Sequence, residues 1–141
     1  MKTIYTVVIL LGLCNPLAAQ TYGSHSETVM YTSICKILTN SDHFNGRIVG
    51  VFGVLKTGRG LGLLFLTKEH ASWNDLANAV DIIPDGRVLH IDSGTPEWAA
   101  LNGRAVYVEG RLSARASQDE DKPSSKISIT FVEAIKCAGP N

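Results

Sequence analysis

Four histidines, at His25, His43, His70 and His90, are the first candidates for chemistry. A zinc site built on one helix needs two of them four residues apart, or a close cysteine pair beside them, and neither spacing occurs. Glu69-His70 stands alone, without the second histidine that a zinc-protease helix requires. Serines, histidines and aspartates are all present, but the Gly-x-Ser-x-Gly elbow is absent, and a triad cannot be read from composition. Gly58-Arg59-Gly60-Leu61-Gly62 looks superficially like a phosphate loop. It lacks the Lys-Ser/Thr ending and leads into a strand pattern, so no helix N-terminus follows to hold an anion. Asp119-Glu120-Asp121 lacks the alternating ligands and central glycine of a calcium loop and reads as a solubilising tip. No catalytic residue, metal or cofactor is therefore expected. Thirteen basic residues balance thirteen acidic ones, which removes the net basic surface that phosphate binding normally shows.

The strongest pattern in the chain is a repeat. Phe44-Asn45-Gly46-Arg47-Ile48-Val49-Gly50-Val51-Phe52-Gly53-Val54-Leu55 returns 57 residues later as Leu101-Asn102-Gly103-Arg104-Ala105-Val106-Tyr107-Val108-Glu109-Gly110-Arg111-Leu112. The shared skeleton is Asn-Gly-Arg-x-Val-x-Val-x-Gly-x-Leu, whose spacing of two predicts a strand in each copy, over 47–56 and 104–114. Val49, Val51, Gly53 and Leu55 share the constant, inward face with Val106, Val108, Gly110 and Leu112. Ala105, Tyr107, Glu109 and Arg111 point outward. Glycines inside a strand weaken it, so Gly50 and Gly53 mark a sharp bend or bulge.

Residues 1–19 read as a secretory signal: Lys2 supplies the charge, residues 4–13 the short apolar stretch, and Leu17-Ala18-Ala19 a cleavage site before Gln20. The stretch is too short to span a bilayer, which takes roughly 20 residues. Lipidation at Cys14 is the alternative to removal, disfavoured by the bulky Leu13. The remaining chain of about 120 residues suits a single domain. It retains Cys35 and Cys137, and export favours a disulfide between them. A loop of about 100 residues closed in this way would gain about 4.7 kcal/mol in the chain-entropy model.

Residues 20–32 are polar and aperiodic and are expected to form a flexible arm, with the domain proper over 33–137 and a tail over 138–141. Ser33 caps a short amphipathic helix over 33–39, whose Ile34, Ile37 and Leu38 would lid one end of a barrel. A turn at residues 57–60 leads to a second strand over 62–67. Residues 68–78 form an irregular excursion pinned by Trp73 and Leu76. The third strand lies in either 79–83 or 87–92, around the Pro84-Asp85-Gly86 turn, and 87–92 is favoured. Thr95-Pro96-Glu97 opens a helix that Asn102-Gly103 ends. A charged loop over 117–125 then leads to a fifth strand over 126–136, with Ile127, Ile129 and Phe131 on one face.

The order β-β-β-α-β-β predicts an all-β chain with short helices, closed as a five-stranded Greek-key barrel of the OB-fold type and carrying an N-terminal helix. Ser33-Ile34-Cys35-Lys36-Ile37-Leu38 with Phe44-Asn45-Gly46-Arg47-x-Val49-x-Val51-x-Gly53-x-Leu55 resembles a group of small exported bacterial OB-fold proteins. That group belongs to the tRNA-anticodon-binding-like superfamily, and most of its members are uncharacterised. The resemblance implies that the first and fourth strands are neighbours that close the barrel. OB-fold ligands usually lie across strands two and three, framed by the loops that follow strands one and four. That surface would offer Lys56, Arg59, Phe65, Lys68 and Trp73. The function expected is that of an exported, monomeric, non-enzymatic binding module, secreted or periplasmic, for a small ligand, a glycan or an envelope protein. Single-stranded nucleic acid, by analogy of fold, and a hydrolase are the alternatives.

Overall fold

The computed structural model describes residues 20–58, 61–114, 123 and 125–135. Five strands close the barrel: β3 (Ile48–Thr57), β4 (Gly62–Phe65), β5 (Ala79–Pro84), β6 (Arg104–Ala114) and β7 (Ser125–Ala134). Around the ring, β3 pairs with β4, β4 with β5, β5 with β7, β7 with β6, and β6 again with β3. All of these pairs are antiparallel except β5 with β7. This closure removes the sheet edges and is the OB-fold path, as expected from the strand order. Two short strands of the arm, β1 (Thr21–Gly23) and β2 (Met30–Thr32), add to β7 and β3.

The two repeat copies are β3 and β6, and their ladder has an approximate twofold symmetry. Val51 pairs with Val108, its own equivalent, and the register runs outward to Ile48–Arg111 and Leu55–Arg104. The repeated Asn-Gly closes each end reciprocally. Asn102 Oδ1 accepts the Thr57 N–H at 3.0 Å, and Asn45 Oδ1 accepts the Ala114 N–H at 3.0 Å. Gly103 N–H donates to Leu55 O at 2.7 Å, while Gly46 N–H donates to Leu112 O at 2.8 Å. Gly46 and Gly103 take φ of 76° and 75°, a region that disfavours side chains, which explains the glycine in both copies.

Gly53 and Gly110 are also equivalent. A Cβ at Gly53 would lie 2.8 Å from Phe65 O, and one at Gly110 would lie 2.2 Å from Ser128 O. Each admits the close approach of a neighbouring strand. At Gly53 the outer edge of β3 changes partner from β2, paired to Val49–Val51, to β4, paired from Val54 onward. Opposite Glu109/Gly110 the register skips Thr130, a bulge that bends β7 where it approaches Gly110.

The barrel interior is filled by Val49, Val51, Leu55, Leu64, Val80, Ile82, Val106, Val108, Leu112, Ile127 and Ile129. Helix α5 (Pro96–Ala100) inserts the buried Trp98 into this core, and Thr95 Oγ1 caps it by accepting the Trp98 N–H. Helix α1 (Ile34–Thr39), capped by Ser33, contributes Ile34 and Ile37. A one-turn helix, α2 (Ser41–Phe44), follows it.

Several expectations are corrected. The third strand is Ala79–Pro84, while Gly86–Leu89 is a helical turn, α4, capped by Asp85. Pro84-Asp85-Gly86 therefore starts a helix and not a hairpin, because β5 runs parallel to β7 and needs no reversal at that point. The excursion at residues 68–78 is mostly helical: α3 (Lys68–Trp73) is capped by Thr67, and a 3₁₀ turn spans Leu76–Asn78. Trp73 pins nothing, being 77% exposed. The arm is built into the sheet through β1 and β2. The disulfide is not formed: Cys35 is an exposed free thiol on the side of α1 opposite Ile34 and Ile37. Cys137, Arg59, the signal at 1–19, the tail at 138–141 and most of the loop at 117–125 lie outside the described residues.

Candidate functional site

The outward faces of the two copies carry what the repeat does not share. On β3 these positions are Ile48, Gly50 and Phe52; on β6 they are Ala105, Tyr107 and Glu109. Glu109 is a charged residue with its side chain only 1% exposed. A buried carboxylate must have donors, and Glu109 has three. His25 Nδ1 lies 2.7 Å from Oε1, Tyr107 Oη donates to the same oxygen at 2.8 Å, and the Ser26 N–H donates to Oε2 at 3.0 Å. Burial alone would raise the Glu109 pKa. The bonds from Ser26, His25 and Tyr107 outweigh it and hold the carboxyl below its ordinary range. Burial and the adjacent Glu109 push the Tyr107 phenol far above its ordinary value. It stays a neutral donor.

The arm covers this cluster because it crosses the outer surface from β7 to β3. Gly50 makes room for the crossing: a Cβ there would lie 2.3 Å from Tyr107 Oη and 2.8 Å from Val29 Cγ1. Aromatic rings surround Tyr107. Phe52 lies 4.8 Å away, Phe131 6.2 Å and Tyr31 6.3 Å between ring centroids, and the His25 ring rests 3.9 Å from Phe131. Tyr31 is 74% exposed and Phe52 60% exposed. The result is an aromatic platform open to solvent, seated on strands and anchored by a buried acid. The imidazole of His25 is oriented through Nδ1, and Nε2 has no partner among the described residues.

The residues predicted as a site are placed differently. Val54, Phe65 and Ala79 lie in one outward row across β3, β4 and β5, by direct pairing. Ala71 of α3 covers the row, making a second small core. Phe65 is thus fully buried, and part of the usual OB-fold ligand surface is occupied by the protein's own helix. Lys56 and Lys68 do come together, lining a groove of about 330 Å³ with Ser72, Asn102 and Gly103. The Lys56 ammonium already donates to Ala71 O at 3.2 Å and Asn74 Oδ1 at 3.3 Å. Trp73 projects from α3 and is not among the groove residues.

The aromatic platform was missed in the sequence because its members come from distant segments, 84 residues apart for His25 and Glu109. The one available signal was Glu109 itself, an acid at the position where the first copy has Phe52. Helix α3 had a clearer signal in the Thr67 cap and in Asn74, whose φ of 55° ends it. The histidines are dispersed: His70 bonds to Thr67 Oγ1 at 2.9 Å, and His43 packs edge-on against Phe44. Among the described residues no three His, Cys, Asp or Glu side chains converge as a metal site, and no helix is long and apolar enough to cross a membrane.

The closed barrel with its platform makes this an all-β, OB-fold-like domain. No protein-family model matches the chain, and no curated protein is significantly similar to it. Among solved structures, it is similar to a Leishmania major Friedlin protein described as an aspartyl-tRNA synthetase, with TM-score 0.46 and 9% identity. That match covers 79% of this chain and 21% of the other, so the chain spans about a fifth of the synthetase's length. It is also similar to a DUF3299-family protein from Pseudomonas aeruginosa PAO1, with TM-score 0.45 and 10% identity, over 69% of this chain and 66% of that one.

Proposed function

We propose that the protein is an exported, monomeric, non-enzymatic binding module that receives a glycan on the outer face of β2, β3 and β6. The observation that carries this reading is the pair of exposed rings, Tyr31 and Phe52, packed around Tyr107. Large aromatic surfaces exposed together on strands mark interaction sites more often than chance decoration. A sugar ring has one apolar C–H face to lay on such a platform, and hydroxyls on its rim for a donor or acceptor such as His25 Nε2. The neutral overall charge and the Glu109 anion under the platform disfavour a phosphate backbone at the same place. Export rests on the signal-like residues 1–19.

Titration of the purified protein with a panel of neutral oligosaccharides, read by amide chemical shifts, tests the reading. Shifts centred on Tyr31, Phe52 and Tyr107 are expected, with Phe52→Ala weakening binding at least tenfold. Binding that maps elsewhere, or survives Phe52→Ala together with Tyr31→Ala, rejects it. A second reading, single-stranded nucleic acid, is favoured by Lys56 and Lys68 lining one groove and by the exposed Trp73 nearby on α3. Single-stranded DNA at two salt concentrations separates the two, because phosphate contacts weaken as salt rises.

A further inference from the structure

Where the arm leaves the platform and joins β3, it walls a cleft of about 600 Å³ lined by Thr28, Val29, Met30, Arg47, Ile48 and Arg111. This volume falls within the range that small-molecule sites occupy. Its lining joins the apolar side chains of Val29, Met30 and Ile48 to two guanidinium groups. Ile48 and Arg111 face each other directly across the β3–β6 ladder, and Arg47 adjoins them at the strand entrance. Among the described residues the ion pairs involve His25, His70 and Arg87 on the basic side, and no carboxylate pairs with Arg47 or Arg111. Arg111 is positioned by a neutral acceptor: its Nη1 donates to Gly46 O at 2.5 Å. That bond orients the guanidinium, whose other N–H donors have no partner among the described residues. Arg104, which occupies the Arg47 position in the second copy, donates to Gln20 Oε1 at 2.6 Å and does not line the cleft.

We propose that this cleft binds a small carboxylate with an apolar body, a site separate from the aromatic platform. Arginine presents a planar fork that matches a carboxylate with two parallel bonds, a match that an ammonium cannot make. Val29, Met30 and Ile48 then take the apolar part, and Met30 adapts to its shape. A second arginine within reach of the same anion strengthens the preference over a neutral ligand of equal size. The Thr28 hydroxyl offers one further donor at the rim.

The test uses octanoate, with octanol and octylamine as uncharged and cationic counterparts, titrated into the purified protein and followed by amide chemical shifts and calorimetry. Octanoate is expected to shift Thr28, Met30, Ile48 and Arg111, and to bind at least tenfold tighter than octanol, with octylamine weaker still. Arg47→Gln and Arg111→Gln should each lower octanoate affinity about tenfold and leave the octanol affinity unchanged, in variants whose spectra show the native fold. Arg111→Lys separates charge from geometry: a bidentate site loses affinity in this variant. Equal binding of octanoate and octanol, shifts that map outside the cleft, or full binding by the Arg47→Gln/Arg111→Gln double variant overturns the proposal. Because the cleft and the platform have different reporters, failure here leaves the glycan reading untouched, and the reverse also holds.

Discussion

At one end of the β3–β6 ladder Asn102 caps Thr57 and Gly103 turns the chain; at the other Asn45 caps Ala114 and Gly46 does the same. The backbone of the two ends is nearly interchangeable, and their surroundings are not. The Asn102 end carries a small groove in which the Lys56 ammonium is engaged by Ala71 and Asn74, beneath the added helix α3. The Asn45 end carries the larger of the two, a cleft whose Arg47 and Arg111 have no carboxylate partner among the described residues. Between them, the outward positions that hold Gly50 and Phe52 in one copy hold Tyr107 and Glu109 in the other. Repeated architecture fixes where strands pair. The unrepeated side chains, and whatever chain segment crosses over them, fix what the surface can bind.

The equivalence of the two copies is tested most severely at their inner glycines. Gly110→Ala should destabilise the fold by about 3 kcal/mol or more, because the new Cβ would press on backbone of β7 that cannot swing aside. Gly53→Ala meets Leu64 and Ile34 side chains as well as Phe65 O, and should cost less, about 1–3 kcal/mol. Denaturant unfolding of both variants measures the difference. If the order is reversed, the strand contacts at the two sites are not the controlling ones.

Next in size is Glu109→Ala, which leaves the buried Tyr107 hydroxyl without its acceptor and frees the arm, at about 2–3 kcal/mol. Hydrogen exchange at Ser26 should accelerate in this variant. The same cluster sets a pH dependence. Because the Glu109 pKa is lowered in the folded state, its contribution is present above the unfolded carboxylate pKa and is lost as pH falls through the folded value. Tyr107 has the opposite sense. Its raised pKa gives a contribution present below the ordinary tyrosine value, near 10, and lost as pH climbs above it. Stability curves of Glu109→Gln and Tyr107→Phe should lose the acid and the alkaline limb, respectively.

Asn45→Ala and Asn102→Ala should each cost about 0.5–1 kcal/mol, similar to one another and additive in the double variant, since the caps lie at opposite ends of the ladder. Phe52→Ala should change stability by about 0.5 kcal/mol at most, as expected for an exposed side chain, while weakening the proposed glycan binding at least tenfold.

Much of the barrel was legible. Alternation with a period of two identified β3, β6 and β7 and the inward residues of β3 and β6, and Thr95-Pro96 announced α5 through the chemistry of helix ends. In β7 it held only to Ile129: the register skips Thr130, so Phe131, expected on the face of Ile127 and Ile129, turns outward against His25 and Tyr107, and Val132 and Ala134 enter the core instead. Phe65 shows the limit of this reading. Its strand was found, but Leu64 faces the barrel core and Phe65 faces outward into a second core that exists only because α3 folds over it. Trp73 shows the converse, an aromatic residue read as a pin that instead stands in solvent.

The sequence by itself determined the local geometry of this protein: which residues alternate, where helices begin, and where only glycine fits, as at Gly46 and Gly103. These follow from backbone sterics and from hydrogen bonds made within a few residues. The tertiary structure alone decided what covers each outward face. His25 meets Glu109 and Val29 meets Gly50 because the arm joins β7 at one end and β3 at the other. Burial of a polar group at long sequence separation leaves no periodic trace. It depends on which distant segment arrives, and that is settled only when the barrel closes.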